Sequence, residues 1–226
     1  MELSIDTSSE TASIALSKCG DVIAELTWRS GYNHGVELLP NVDHLMDGID
    51  RSRIDAVIVA IGPGSFNGIR VGLATAKGLA VSFNSSIVGI STLEVEAYRH
   101  ALHREPVCPI FNAGRGEIAT ALFQNRDARW QRLMDEHITT LDELCAKLKT
   151  KTVFCGQISE EIAAEITGHM EDRAIVARGA HLLRRAGYLA ELGWRRISNG
   201  DTDNLDRLQP LYLRKPAITE KKKNIV

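Results

Sequence analysis

Several features that mark other classes of protein are missing from this sequence. It has no basic excess, since 27 lysines and arginines stand against 29 acidic residues, whereas a protein that binds nucleic acid by itself usually carries net positive charge. Glu2 and Asp6 lie where a secretory signal would need a basic start and an apolar run. The longest stretch of few charges, 68–83, contains Arg70 and Lys77, which argues against a membrane span. We therefore expect a cytoplasmic protein that contacts no membrane.

The motifs of metal centres and of nucleophilic catalysis are missing as well. No Cys-x-x-Cys, His-x-x-x-His or Gly-x-Ser-x-Gly occurs. The scattered cysteines predict buried thiols in a reducing compartment; they are Cys19, Cys108, Cys145 and Cys155. His34 and His44 fall on different faces of a helix, and the pair His100 and His103 has no third ligand nearby in sequence, which favours a solvated pair. We predict no metal site and no catalytic residue.

What is present is an ordinary globular composition, with 226 residues of which 44% are hydrophobic and 25% charged. That length suits one large domain or two small ones. In the first half, the alternation of apolar runs and turn residues predicts the order βββαβαβα. The predicted strands are 2–6, 12–17, 22–28, 56–61 and 86–90, and the predicted helices are 36–49, a segment ending near 83, and a segment reaching 102.

The second half reads as a degraded copy of the first. A strand beginning at Val107, a polar turn and another strand repeat the layout of residues 5–16. Helices at 140–149, 159–167 and 180–193 and strands at 152–155 and 174–176 follow. Duplication of a βββαβα unit predicts two lobes with a cleft between them. We place the first lobe at 1–104 and the second, with a C-terminal tail, at 105–226.

The segment Asp6-Thr7-Ser8 lies where the first strand runs into a turn. An acid at the end of a buried strand can hold a magnesium-bound water, and the following hydroxyls and amides can hold phosphate. The alternative is a plain turn in which short polar side chains bond neighbouring amides. The copy has Asn112 in place of Asp6, so the paired carboxylates of a phosphotransferase are missing. We interpret the segment as at most a vestigial phosphate loop that binds ATP or ADP weakly or only within a complex.

Small residues recur every fourth position after the strand at 56–61, and we call these five residues the small-residue ridge: Gly64, Gly68, Gly72, Ala76 and Ala80. On a helix, such a ridge lets another element approach closely. The approaching element belongs either to the same chain or to a partner, and the sequence leaves both open. The predicted helix at 36–49 carries one apolar face, formed by Val36, Leu39, Val42, Leu45, Met46 and Ile49.

The run Gly-Pro-Gly-Ser-Phe-Asn-Gly-Ile-Arg-Val-Gly-Leu-Ala-Thr-Ala-Lys-Gly-Leu-Ala at 62–80 resembles the bacterial TsaB family, also called YeaZ. Members of that family have threonine where this chain has Asn67. Three further stretches agree with the family, at 3–8, 33–40 and 210–216. The family's Asp-Ala-Arg-x-Gly-Glu segment appears here as Asn-Ala-Gly-Arg-Gly-Glu at 112–117, which puts a role of the first acidic position in doubt.

The resemblance implies an α/β, duplicated actin-like fold of the ASKHA, ribonuclease H-like type. It also implies a non-catalytic role in the threonylcarbamoylation of adenosine 37 in tRNA. The expected partners are a catalytic TsaD-type homologue, a TsaE-type ATPase and, for the chain alone, a second copy, with tRNA contacted only through the complex. TsaD holds a metal with His-x-x-x-His, whereas here His34 is followed by Leu38. A glycoprotease activity would need that metal.

The resemblance further implies that the first two helices form the partner and dimer interface. Its expected residues are His34, Val36, Leu39, Val42, Leu45 and Met46 on the first helix, and Arg70, Val71 and the small-residue ridge on and before the second.

The alternative function is an actin-like phosphotransferase or ATPase that uses ATP in its own cleft. It would need a Gly-Gly adenosine loop, of which Gly156 supplies one glycine, and a carboxylate near Asn112, for which Glu117 is the close candidate. The basic tail is a separate question, because its cations either touch tRNA phosphates or are solvated. They are Arg214, Lys215 and the run Lys221 to Lys223.

Overall fold

The structure, a computed structural model, describes residues 1–31 and 33–214. The first half contains five strands and three α-helices: β1 Glu2–Asp6, β2 Thr11–Lys18, β3 Asp21–Arg29, α1 His34–Leu45, β4 Ala56–Ala60, α2 Phe66–Phe83, β5 Ser86–Ile90 and α3 Thr92–Tyr98. The second half repeats this order: β6 Val107–Gly114, β7 Glu117–Arg126, β8 Arg129–Thr139, α4 Leu141–Lys147, β9 Thr152–Gly156, α5 Glu160–Met170, β10 Ala174–Val176 and α6 Ala186–Ser198.

The two halves build two five-stranded sheets of the same topology. The first has the order β3-β2-β1-β4-β5, and the second has β8-β7-β6-β9-β10. In each sheet the three strands that come first in the chain pair antiparallel with one another. The two later strands, β4 and β5 or β9 and β10, run parallel to the central strand, β1 or β6. This repeated order confirms the predicted duplicated actin-like fold.

Helix α1 runs from His34 through Pro40 to Leu45, so it begins and ends earlier than the predicted helix at 36–49, whereas α2 ends at Phe83 as predicted. Helix α2 begins at Phe66, where the Ser65 hydroxyl accepts a hydrogen bond from the Gly68 amide at 3.3 Å, as expected of an N-cap serine. Its C-cap is the residue after Phe83, Asn84, which adopts the left-handed conformation with φ +52°.

The last predicted helix, 180–193, is shorter at its start. Residues Gly179–Leu182 form a 3₁₀ turn, and α6 begins only at Ala186. Leu183 and Arg185 between them have extended backbone angles. This extended segment carries Arg184 into the cleft, which a continuous helix would not do.

The two lobes exchange their last helices. Helix α3 follows the first sheet in sequence but packs on β6, β7 and β9, whereas α6 packs on all five strands of the first sheet. Leu93 and Ala97 of α3 join the core of the second sheet, and Leu189 and Leu192 of α6 join that of the first. Strand β5 ends at Ile90 and β6 begins at Val107, so each sheet comes from one half of the chain, while the helix that covers one face of each sheet comes from the other half.

Within residues 1–31 and 33–214, none of the helices combines the length and the hydrophobicity that a bilayer span requires.

Candidate functional site

A cavity of about 580 Å³ lies between the carboxyl end of β1, the loop before α2, and the second lobe. Its lining is mostly polar and comes from both halves of the chain: Ser9, Glu10, Thr11, Gly64, Ser65, Glu96, Asn112, Gly156, Gln157, Leu182 and Arg184. This is the cleft that the duplicated sequence predicts.

A buried arginine forms the charged side of this cleft. The Arg184 guanidinium donates a hydrogen bond to the Ser8 hydroxyl at 2.5 Å, and its Nη1 lies 3.7 Å from the Asp6 carboxylate. Its Nε lies 3.7 Å from Glu96 Oε2, and its plane stands over the Phe111 ring at 4.8 Å. Burial raises the pKa of Glu96, which the positive charges of Arg184 and Arg99 oppose. A cation supplied by the chain thus already stands beside Asp6.

The segment Asp6-Thr7-Ser8 is a turn most of whose polar groups are engaged within the chain, while Asp6 Oδ2 is buried and accepts no hydrogen bond from the described residues. Asp6 Oδ1 accepts hydrogen bonds from the Ser8 amide at 2.9 Å and from the Ser8 hydroxyl at 2.5 Å. The Thr7 hydroxyl donates to the Gly68 carbonyl at 2.7 Å and ties the turn to α2. These contacts favour the plain-turn interpretation over a working phosphate loop.

The three residues that the alternative, ATP-dependent function would use already make structural contacts within the chain. Glu117 forms an ion pair with Arg214. Asn112 Oδ1 accepts from the Gly114 amide at 2.7 Å. Gly156 has φ +100°, and a Cβ there would lie 2.5 Å from the Ile110 carbonyl, so this glycine serves the backbone of β9 and β6.

The small-residue ridge faces the interior of its own lobe. A Cβ on Gly64, Gly68 or Gly72 would lie well inside van der Waals contact of the Asp6-Thr7-Ser8 turn. Ala76 and Ala80 are buried in the core of the first sheet. The prediction that a partner helix packs on this ridge is therefore corrected, because the element that approaches α2 so closely is the turn after β1.

Several predicted interface residues of α1 are also interior. His34, Val42 and Met46 are buried, and Leu45 of the same helix is half-buried. The His34 ring nitrogen Nε2 lies 2.8 Å from the Ser9 carbonyl. Val71 of α2 is half-buried against the same core. These side chains hold the helices onto the sheet, so a partner would meet other positions.

The side of α1 and α2 that points away from the sheet is exposed and partly apolar. We call it the α1–α2 outer face, and its residues are Val36 and Leu39 of α1 and Arg70, Ala74, Gly78 and Val81 of α2. Val36 is 79% exposed, Val81 65% and Leu39 50%. A Cβ on Gly78 would meet no atom within 4 Å. Val36, Leu39 and Arg70 belong to the predicted interface, whereas Ala74, Gly78 and Val81 were missed.

The sequence contains a signal for two of these residues, Ala74 and Gly78, because together with Arg70 they recur every fourth position. These three residues line one side of α2, next to the side that carries the small-residue ridge. The sequence contains both stripes, and only the packing of the turn after β1 shows which one is covered.

Outside the cleft, one histidine and one cysteine differ from their prediction. His100 is buried rather than solvated, and burial, followed by the positive charge of Arg99, lowers its pKa to about 4. Cys19 is exposed, whereas Cys108, Cys145 and Cys155 are buried thiols as predicted. Burial raises the pKa of Cys108 to about 12 and that of Cys155 well above the usual range, as expected of thiols in apolar surroundings without a bound metal.

Comparison with known proteins agrees with this architecture. The family model described as TsaD, tRNA N6-adenosine threonylcarbamoyltransferase, matches residues 29–222. The TsaB protein of Bacillus subtilis, a tRNA threonylcarbamoyladenosine biosynthesis protein, is 31% identical over 217 residues, covering 94% of this chain and 93% of that one. The TsaD-type transferase of Nitratidesulfovibrio vulgaris strain DP4 is 37% identical over 92 residues, but these cover only 40% of this chain and 25% of that enzyme.

Among solved structures, a Pseudomonas aeruginosa protein described as similar to the peptidase YeaZ superposes with a TM-score of 0.81. It is 24% identical, and the match covers 94% of this chain and 99% of that one, so it supports the fold. The match to the transferase is partial, whereas the match to TsaB extends over nearly the whole of both chains. The chain belongs to the TsaB (YeaZ) family of tRNA threonylcarbamoyladenosine biosynthesis proteins.

Proposed function

We propose that this chain is the non-catalytic partner subunit of a TsaD-type transferase in the synthesis of N6-threonylcarbamoyladenosine at adenosine 37 of tRNA. The observation that carries the proposal is the α1–α2 outer face, an exposed surface that combines apolar side chains with two small residues. Exposed apolar patches of this kind mark interaction sites. Ala74 and Gly78 give α2 a nearly bare stripe, along which a partner helix can approach closely.

The partner that fits is a homologous pair of helices. A TsaD-type transferase shares the fold and would present its own α1 and α2, so that four helices pack together. In the absence of that partner, a second copy of this chain would cover the same face. A TsaE-type ATPase would join the pair, and tRNA would be contacted only through the complex, in the cytoplasm.

The interior of the cleft supports the non-catalytic part of the proposal. Arg184 places a positive charge beside Asp6, and Asn112 stands where a second carboxylate would be needed. At the start of α1, Leu38 follows His34 at the spacing of the transferase's second histidine, and its side chain is 1% exposed in the core. Each position has a structural role within this chain.

The cations of the tail are not part of this support. Arg214 pairs with Glu117, and Lys215 and Lys221 to Lys223 lie outside the described residues.

The substitutions Val81→Asp and Gly78→Leu should separate partner binding from folding. Both positions are exposed, so we expect the melting temperature of the isolated chain to change little. The aspartate at 81 puts a charge into the α1–α2 outer face, and the leucine at 78 fills its bare stripe. Each change should weaken binding to the transferase homologue by at least about 30-fold, equivalent to about 2 kcal/mol. Binding is measured by titration of the two purified proteins, and the yield of modified tRNA in a reconstituted reaction should fall in parallel.

Ile23→Asp is the matched control, because Ile23 is a 54% exposed apolar residue on β3, away from the α1–α2 outer face. It should leave binding unchanged. Full affinity in both outer-face variants would contradict the proposal, as would an equal loss in the Ile23 variant.

The isolated chain should neither hydrolyse ATP nor cleave glycoproteins, and it should bind ATP weakly if at all. The reason is that Arg184 lies beside Asp6 and that Asn112 stands where the second carboxylate of a phosphotransferase would be needed. Phosphate release by the purified protein and a nucleotide titration test this. An ATP turnover that survives rigorous purification but is lost in Asp6→Asn would show instead that the cleft is an active site.

A further inference from the structure

Three potential metal ligands meet between helix α3 and strand β9. Glu96 lies in α3, His100 lies two residues after its end, and Cys155 lies in β9. One ligand atom from each lies within 4.8 Å of those of the other two, and all three residues are buried. The Cys155 thiol lies 3.7 Å from the Glu96 carbonyl. We call this group the Glu96–His100–Cys155 cluster.

One polar atom of this cluster lacks a partner. Within the described part of the chain, His100 Nε2 is buried and has no hydrogen bond. Burying an imidazole nitrogen without a partner destabilises a protein, and native structures rarely keep such an atom without a reason. Neither the cleft nor the α1–α2 outer face uses it.

We propose that Glu96, His100 and Cys155 form a binding site for a zinc ion. A thiolate, an imidazole and a carboxylate together are a donor set that zinc favours. Donors bound at about 2.0 to 2.3 Å from zinc stand about 3.3 to 3.8 Å apart in a tetrahedron, so atoms that lie within 4.8 Å of one another need to draw together by about 1.5 Å at most. The third donor is Cys155, which lies far from His100 in sequence, in β9 of the second half of the chain.

The charges around the cluster are compatible with a divalent ion. Arg99 donates to Glu96 Oε1 at 2.9 Å, while Oε2 lies 3.7 Å from Arg184 Nε, beyond hydrogen-bond distance. The second oxygen accepts no hydrogen bond from Arg184 and meets it only as an ion pair, which a bound metal would replace. Arg99 fixes the orientation of the carboxylate, as outer partners of metal ligands commonly do. Zinc binding releases the Cys155 proton to solvent, and the thiolate offsets one of the two added charges.

Two more imidazoles lie on the solvent side of the cluster. The rings of His103 and His181 are centred 6.0 and 6.2 Å from that of His100, and both residues are exposed. Either of them, or a water molecule, can supply the fourth ligand, and the ion can enter from their side. The bound ion would join α3, from the first half, to the second sheet.

Titration of the untagged full-length protein with Co²⁺ tests the site, because a cobalt–thiolate bond gives a charge-transfer absorption band. We expect one equivalent of Co²⁺ to produce the band and Zn²⁺ to displace it. Cys155→Ser should abolish the band and weaken Zn²⁺ binding by more than the about 10- to 100-fold typical of losing an outer partner. His100→Gln should weaken Zn²⁺ binding by a similar factor. Zn²⁺ should raise the melting temperature of the wild-type protein but not that of the Cys155→Ser or His100→Gln variant.

The controls separate this site from others on the same chain. An exposed group, Asp142, Glu165 and His169, also has ligand atoms within 4.8 Å of one another, so His169→Ala should leave the thiolate band intact. Cys145→Ser and Cys19→Ser should leave it intact as well. Absence of the band from the wild type, its persistence in Cys155→Ser, or its loss in a Cys19 or Cys145 variant would overturn the proposal.

Discussion

Replacing Gly72 by leucine is expected to lower the free energy of unfolding of the isolated chain by about 3 kcal/mol or more, at the upper end of what overpacking costs. A Cβ at position 72 alone would lie well inside contact distance of the Thr7 hydroxyl, and Ile5 of β1 stands behind it at 3.8 Å. The Thr7 hydroxyl cannot withdraw without breaking its hydrogen bond to the Gly68 carbonyl. Urea denaturation of the purified variant measures the loss.

Gly78→Leu is the matched control for this prediction. The same substitution is made six residues later on the same helix, at an exposed position where an added Cβ meets no atom within 4 Å. Leucine is the better helix former by about 0.8 kcal/mol, so the stability of the isolated chain should stay level or rise slightly. A stable Gly72→Leu chain that had lost only its binding to the transferase would instead restore the small-residue ridge as the partner surface.

These two glycines show what the sequence of α2 could and could not predict. The four-residue spacing correctly predicts that a bare stripe of the helix is approached closely. It does not predict by what, because the stripe at 70, 74 and 78 has the same period as the small-residue ridge. Which stripe faces inward depends on the turn after β1, which lies more than sixty residues earlier in the chain.

The same distinction separates the predicted from the unpredicted parts of the fold. The strand order in each lobe follows from a local pattern that occurs twice, so the duplication was readable. The exchange of α3 and α6 between the sheets is a matter of tertiary packing, and both helices have apolar faces that would suit either sheet. Helix α1 shows a mixture, since Val42 faces the core while Val36 and Leu39 of the same helix face solvent.

The cleft was predicted less well than the sheets because its central contact is distant in sequence. Arg184 meets Ser8 across 176 positions, and the segment that carries it was predicted to be helical. No local pattern marks an arginine as buried. Its burial becomes intelligible only when Asp6 and Glu96 are placed around it by two different elements.

Replacing Arg184 by methionine should lower the free energy of unfolding by about 3 to 5 kcal/mol, because removing one partner of a buried ion pair leaves uncompensated charge. Asp6 is 0% exposed and Glu96 2%. Methionine keeps most of the apolar stem but removes the guanidinium that stands over Phe111, so the loss includes that ring contact together with the charge. Denaturant unfolding of the variant measures it.

Arg51→Met is the control, since Arg51 pairs with Asp43 at 2.7 Å and both side chains are more than half exposed. It should cost less than about 1 kcal/mol, and an equal cost at both positions would contradict a special role for Arg184.

Adding Asp6→Asn to Arg184→Met should restore at least half of the lost stability, because asparagine can still accept from the Ser8 amide but carries no charge. The second lobe has that solution already: Asn112, which the repeat aligns with Asp6, accepts from the amide two residues ahead of it. Asp6 of the first lobe thus has a guanidinium 3.7 Å away to compensate its charge, whereas Asn112 of the second lobe carries no charge that needs one.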